Sequence, residues 1–265
     1  MNNPKITTVI PTYHRPDLLA RAIKSVQLQE FEDWECIVFS DHCPKAHLVY
    51  EKYFEDDNRI RFVENPNEWV KNVGAVGVNY ALENAKSDIM TYLCDDNIFL
   101  PNHFKVICNE HNKGEYHSIQ TAGFHFQPVS PQGKKQGDLL IKEILDRGLK
   151  DEINLFYHNL SSEGMSHVSP LPDMLRIAHT ISTVVDEVGY WLPWHKNPLL
   201  FREDTEFIRR LNNSFQKVEL NDLTNVYYAR MACQARDEDY HTRVANLAPD
   251  EIFVYPELAE KDLGI

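Results

Sequence analysis

Residues 7–41 read TTVIPTYHRPDLLARAIKSVQLQEFEDWECIVFSD, and this stretch decides the fold class. Ile6 to Ile10 is a β-branched run closed by Pro11, which predicts a strand. Pro16 to Glu30 places Leu18, Leu19, Ala22, Ile23 and Val26 on one face of a helix, with Pro16 where a first helical turn tolerates it. Glu35 to Ser40 (ECIVFS) is a second strand, ending at Asp41. Working outward, residues 45–56 read as a helix and Ile60 to Val63 as a short strand. Asn72 to Ala85 is a helix whose Gly74 and Gly77 imply close packing against a sheet. Ile89 to Leu93 is a short apolar strand running straight into Cys94-Asp95-Asp96-Asn97.

Strands alternating with helices of this length imply βαβ units, a parallel sheet and helices on both faces. Ligands of such sheets bind outside the carboxyl ends of the strands. Three polar clusters fall at those ends: Thr12-Tyr13, Asp41 and Asp95-Asp96. They are distant in sequence, yet one crevice would collect them. The second half is less regular. Residues 127–138 and 158–172 read as loops, 138–149 as a helix, Ile177 to Ile181 as a strand and Thr183 to Tyr190 as a helix. A further helix starts near Glu203, Val226 to Met231 reads as a strand, and the C-terminal stretch is acidic.

Composition narrows the function. The chain has 265 residues, 43% hydrophobic and 25% charged, which suits a globular protein with a sizeable core. Lys and Arg number 27 against 40 Asp and Glu, a net charge of −13 that argues against a protein gripping a nucleic-acid backbone. An anionic ligand could still be held through a divalent cation. The opening MNNPKITTVIPTYHRP lacks the basic region and apolar run of a signal peptide, and no apolar stretch approaches the length of about 18 residues needed to cross a membrane. Five cysteines, an odd count without a CxxC pair, predict reduced thiols in a cytoplasmic protein and no zinc site. GxGxxG, GxxxxGK[ST] and GxSxG are all missing, which weakens dehydrogenase, NTPase and hydrolase readings.

The acid clusters carry the chemistry, and each has a plainer alternative. Asp95 and Asp96 after a buried strand are costly unless a positive group sits beside them, and a hard divalent cation shared with substrate phosphates would serve. The same residues could simply form a solvated turn or a helix cap ahead of Pro101. Asp41 could accept a hydrogen bond from a base or ribose, or start a turn. Tyr13 could stack on a planar ring, or pack. Glu203-Asp204 opens a helix whose apolar face holds Phe207, Ile208 and Leu211. Acids there could offset the helix dipole or supply a general base.

Taken together, residues 7–41, residues 60–101, HTISTVVDEVGYW (179–191) and EDTEFIRRL (203–211) resemble the family 2 glycosyltransferases. The DDNIFLP segment is similar to the spore-coat polysaccharide member of that family. The resemblance implies a GT-A type, Rossmann-like mixed sheet flanked by helices, one compact unit of two abutting subdomains. Residues 1–110 would bind the nucleotide sugar, and residues 111–265, with the acidic tail, the acceptor. It implies an inverting, single-displacement transfer from a nucleotide-diphosphate sugar, a UDP-sugar, to a hydroxyl of a glycan or other acceptor in polysaccharide biosynthesis, with Mn²⁺ or Mg²⁺.

By the same resemblance, Pro11, Thr12 and Tyr13 line the base, Asp41 contacts the uracil edge, Asp95 the ribose, and Asp96 ligates the metal. Asp204 is the catalytic base and Glu203 an acceptor contact, while His179 is a further candidate for the diphosphate or metal. Departures are a single acid at Ser40-Asp41, Cys94 where another acid is common, and no arginine in the Asn72–Ala85 helix to contact the base. Two other functions share parts of this pattern: a sugar-nucleotide nucleotidyltransferase, whose glycine-rich loop is replaced by Thr12-Tyr13-His14-Arg15, and a non-catalytic sugar-nucleotide or glycan-binding module.

Overall fold

The structure, a computed structural model, describes residues 4–13, 15–43, 45–67, 74–128, 164–169, 177–192 and 203–228, with single positions at 139 and 146. The first half runs β1 (Ile6–Thr12), α1 (Pro16–Gln27), β2 (Trp34–Ser40), α2 (Ala46–Tyr53), β3 (Ile60–Glu64), α3 (Ala75–Asn84) and β4 (Ile89–Tyr92). β2 and β4 flank β1, β3 joins β2, and all four are parallel. The second half adds β5 (Ile98–Phe99), α4 (His103–His111), β6 (Ser118–Pro128), β7 (Gly164–Ser169), β8 (Ile177–Thr180), α5 (Ile181–Glu187), α6 (Glu203–Ser214) and β9 (Lys217–Tyr228). Among the described residues these strands make one sheet of order β3-β2-β1-β4-β8-β6-β9-β5, with β7 on β6.

Every residue of β2 is buried, and β1 has only Pro11 partly exposed, so both faces of these strands are covered. That is why they read as unbroken apolar runs rather than as alternating ones. Successive side chains still go to opposite faces. Ile6, Ile10, Cys36 and Val38 join Leu19, Ile23 and Val26 of α1 in one core. Val9, Ile37 and Met90 join Ala75, Val78 and Ala81 of α3 in the other. Gly77 explains how α3 comes so near: a Cβ there would lie 2.8 Å from Phe39 Cδ1. Gly74, at the start of α3, takes φ 87°, a left-handed conformation open to glycine.

β8 breaks the parallel pattern by running antiparallel to both β4 and β6. β9 is parallel to β6, and its far end pairs antiparallel with β5. Strands from either side of residue 110 therefore share one continuous sheet. Several expectations are corrected in this half. β6 is a strand that hydrophobic patterning does not announce, and β7 occupies part of the loop expected over 158–172. β9 already begins at Lys217, and α5 ends at Glu187, before Gly189 at φ 78°. The expected helix at 138–149 and the acidic C-terminal stretch lie outside the described residues.

Several polar groups inside this half are matched to one another or to the neighbouring β4. His103, fully buried, stacks on Phe99 and shares hydrogen bonds with Thr91 Oγ1 at 3.0 Å and Thr224 Oγ1 at 2.9 Å. Thr224 Oγ1 also lies 2.7 Å from Thr121 Oγ1. Burial pushes the His103 imidazole down to about 3, so it is neutral and bridges β4, α4 and β9 without a charge. No helix among the described residues is long and apolar enough to cross a membrane.

Candidate functional site

The ends of four parallel strands are tied together by their own polar groups. At the end of β1, the Thr12 carbonyl accepts from the Asp41 amide at 2.9 Å, joining β1 to β2. The Asn65 amide, just past β3, donates to the Ser40 carbonyl at 2.8 Å. Asn65 Nδ2 then donates to Asp41 Oδ1 at 2.7 Å, while its side-chain oxygen accepts from the Asn67 amide at 3.0 Å. Thr12 Oγ1 donates to Asp95 Oδ2 at 2.8 Å, and the Tyr13 amide approaches the same oxygen at 3.4 Å. Thr12, Tyr13, Asp41 and Asp95 thus form one cluster at the carboxyl edge of the sheet, where the strand pattern places a ligand crevice.

Asp95 is wholly buried and Asp41 nearly so, whereas Tyr13 keeps 38% of its surface exposed. Burial raises the Tyr13 hydroxyl above its ordinary value, with the Asp41 carboxylate and the Cys43 thiol adding to the effect. Tyr13 is thus a partly exposed aromatic side chain whose hydroxyl feels the charge of Asp41. Pro11 lies on the same edge, its Cγ 3.7 Å from where a Cβ on Gly74 would sit. Directly after Asp41 the backbone turns through His42 at φ 55°, a left-handed conformation.

Arg15, at the start of α1, is the cation of the cluster. Its Nη2 lies 2.9 Å from Asp95 Oδ1, and its Nη1 pairs with Asp96 Oδ2. Asn97 Nδ2 donates to the other Asp96 oxygen at 2.9 Å. Burial pushes the Asp95 carboxyl up to about 7, and Asp96 adds to this; Arg15, Thr12 and the Tyr13 amide pull against it. Neither Arg15 nor Asn65 stands out in the sequence. The arginine is one of four residues in a turn, and Asn65-Pro66-Asn67 looks like turn chemistry alone. Cys94, beside the acids, is exposed, while Cys36, Cys43 and Cys108 are buried.

Asp204 lies on a different element. It sits in the first turn of α6, where its Oδ1 accepts from the Thr205 amide at 2.6 Å and Thr205 Oγ1 at 3.2 Å. Glu203 opens the same helix, but its side chain lies outside the described residues. One turn further on, Phe207 is fully buried and stacks on Trp191 with ring centroids 5.4 Å apart. Trp191 packs on Tyr92, the last residue of β4, at 5.5 Å. Asn79 of α3 holds Trp191 by both backbone groups, at 2.9 and 2.8 Å. An aromatic chain thus links the first turns of α6 to the strand that delivers Asp95. No hydrogen bond among those described joins Asp204 to the acid cluster itself.

His179 belongs to that aromatic packing. It is fully buried, and burial pushes its imidazole down to about 4. Its Nδ1 faces the Thr180 carbonyl at 3.2 Å, and its Nε2 lies 2.5 Å from the Tyr92 hydroxyl. A carbonyl can only accept, so Nδ1 carries the proton and Nε2 accepts from Tyr92. Both ring nitrogens are thereby engaged inside the core.

The oxygens of Asp95 and Asp96 suit a hard cation, and Asp95 Oδ1, though close to Arg15, makes no well-formed hydrogen bond among the described residues. Those residues contain no group of three or more His, Cys, Asp or Glu side chains able to hold a metal by themselves. An ion here would therefore be shared with a ligand's phosphates and with water, as magnesium-type sites commonly are.

The glycosyl transferase family 2 profile matches residues 7–162. The GalNAc(5)-diNAcBac-PP-undecaprenol beta-1,3-glucosyltransferase of Campylobacter jejuni is 33% identical over 115 residues, covering 43% of this chain and 37% of that protein. Protein CgeD of Bacillus subtilis is 31% identical over 237 residues, covering 84% of this chain and 50% of that protein. The chain thus spans half or less of the length of these relatives. Among solved structures, S. aureus TarS 1–349 in complex with UDP-GlcNAc aligns over 97% of this chain and 66% of that one, with a TM-score of 0.59 at 14% identity. A mannosyltransferase from Pyrobaculum calidifontis in complex with GDP-Man and Mn²⁺ aligns over 100% and 74%, with a TM-score of 0.53 at 13% identity. These likenesses concern the fold, which is the mixed, helix-flanked sheet of GT-A type. With the profile covering more than half of its length, the chain belongs to glycosyl transferase family 2.

Proposed function

We propose that this chain transfers a sugar from a UDP-sugar to a hydroxyl of a glycan, in one inverting displacement. The observation that carries the proposal is the hydrogen-bonded cluster of Thr12, Tyr13, Asp41 and Asp95 at the carboxyl ends of β1, β2 and β4, with Asp96 beside it. Asp41 offers a carboxylate acceptor to the imide N–H of uracil, and Tyr13 offers an exposed ring face for stacking. Pro11 and Thr12 form the floor beneath the base, and Asp95 faces the ribose. Asp96 would hold Mn²⁺ or Mg²⁺ against the diphosphate; the chemistry such an ion supplies is neutralisation of charge on the leaving group.

Asp204 is our candidate for the general base that takes the proton from the acceptor hydroxyl, with Glu203 beside it contacting the acceptor. In this reading residues 1–110 handle the donor and residues 111–265 the acceptor, in a cytoplasmic enzyme of polysaccharide synthesis. Support comes from family membership and from similarly folded proteins whose structures contain UDP-GlcNAc in one case and GDP-Man with Mn²⁺ in another.

Titration calorimetry with UDP and GDP, with and without Mn²⁺, tests the donor half of the proposal. UDP should bind tighter than GDP, Mn²⁺ should strengthen it, and Asp96→Ala should remove most of that strengthening. Equal UDP affinity with and without metal would overturn the metal assignment. Incubation with UDP-sugars and Mn²⁺ should release UDP slowly, whereas pyrophosphate formed from UTP and a sugar 1-phosphate would point instead to a nucleotidyltransferase.

A further inference from the structure

Resting on that reading of the donor site, we propose that Arg15 is a built-in placeholder cation: it bridges Asp95 and Asp96 and moves onto the donor diphosphate when metal and nucleotide arrive together. Its two terminal nitrogens each take one carboxylate, Nη2 on Asp95 Oδ1 at 2.9 Å and Nη1 on Asp96 Oδ2. Two adjacent carboxylates, one fully buried and the other with 7% of its side chain exposed, cannot both stay ionised without a positive partner. A planar guanidinium is suited to that duty, because it stays charged and its donors form a fork.

The place it fills is the one a divalent ion on Asp96 would need. Cation and arginine therefore compete for the same oxygens. The arginine side chain keeps 18% of its surface open, so it has a way out toward the crevice. Arg15 also stands at the N-terminus of α1, two residues past Tyr13, on the rim where a diphosphate beneath a stacked base would lie. Once displaced, its fork would meet phosphate oxygens, which it matches as well as it matches carboxylates. The consequence is order: metal alone binds poorly because it must evict a paired arginine, whereas metal with nucleotide offers that arginine a new partner.

The test uses Mn²⁺ itself, followed by electron paramagnetic resonance of the free ion, on the intact chain. Without nucleotide, Arg15→Gln should bind Mn²⁺ about tenfold tighter than the parent, a typical size for coupling between two sites. With saturating Mn²⁺, the same variant should bind UDP more weakly than the parent, and Arg15→Lys should recover part of that loss. Unchanged Mn²⁺ affinity in Arg15→Gln would overturn the proposal while leaving the donor site intact. Crystals of the parent keep the question decidable if Arg15→Gln does not fold. A guanidinium on a phosphate oxygen in the Mn²⁺–UDP complex supports the exchange, and one still bridging Asp95 and Asp96 overturns it. A parent that binds neither Mn²⁺ nor UDP overturns both this inference and the donor-site reading.

Discussion

The two halves of the sheet use buried polar groups in opposite ways. In the parallel half, β3-β2-β1-β4, they gather at the strand ends, with Thr12, Asp41, Asn65 and Asp95 bonded to one another on the rim. In the half built from β8, β6, β9 and β5, Thr121 and Thr224 lie inside the sheet bonded to each other, and His103 of α4 links Thr224 to Thr91 of the neighbouring β4. Parallel strands covered on both faces read as apolar runs, and their interior still holds a few buried polar side chains such as Thr8 and Thr91. The other half holds them within the sheet, where Thr121, Thr224 and His103 find partners in one another. The contrast is one of place: the parallel half carries charged groups on its rim, and the other half holds neutral polar groups in its interior.

The largest expected effect would break this division if it failed. Asp204 lies on α6, in the second half, while the cluster of Thr12, Asp41 and Asp95 lies wholly in the first. Asp204→Asn should lower transfer by roughly 10²–10⁴-fold while UDP affinity stays at the parent level. If Asp204 merely offset the helix dipole, the same change would cost about 0.3–1 kcal/mol of stability and leave turnover near normal. Steady-state rates beside calorimetric UDP titrations tell these apart.

Acid should act first on the polar interior of the second half. Burial lowers His103 to about 3 and His179 to about 4 from an ordinary 6.5, so the unfolded chain binds their protons more readily. Their contribution to stability is complete above pH 6.5 and declines as pH falls from 6.5 toward about 4. The expected slope is up to about 1.4 kcal/mol per pH unit for each histidine. Urea unfolding at pH 7 and pH 5 should show the loss, and His103→Gln should flatten the slope by about half. An unaltered slope in that variant would place the acid response elsewhere.

A smaller effect sharpens the account of the parallel half. Gly77→Ala brings a Cβ to within 2.8 Å of Phe39 Cδ1, so α3 must move off β2 or Phe39 must shift. A cost of about 1–3 kcal/mol is expected from overpacking of this kind, readable as a lowered urea midpoint. Smallest of all, Asn65→Ala removes one hydrogen bond from Asp41. UDP affinity should fall about fivefold, corresponding to roughly 1 kcal/mol, with the unfolding midpoint little changed.

Much of the first half was legible because its strands and helices obey simple periods. β1, α1, β2, α2 and β4 fall close to where apolar spacing places them, and the strand-end rule brings Thr12, Tyr13, Asp41 and Asp95 together. The second half defeats the same logic for a physical reason. In β6, Ser118, Gln120 and Thr121 are all buried, so neither of its covered faces looks apolar in the sequence. β7 exists as a partner of β6, and no local run of residues demands it. The Arg15 bridge joins residues about eighty positions apart and depends on the register of β1 beside β4, which no local pattern encodes.

Cys94 turns the acid cluster into something an observer can address. It is the one exposed thiol among the described cysteines, and burial holds the Cys36 and Cys108 thiols far above the range in which they react. A thiol-reactive fluorophore should therefore attach beside Asp95 in preference to the other described cysteines. From there its emission would report events in the crevice, including the arrival of a nucleotide. The same accessibility exposes the loop to oxidants, so a single sulfenic acid at Cys94 would sit one residue from the cluster that holds β1, β2 and β4 together.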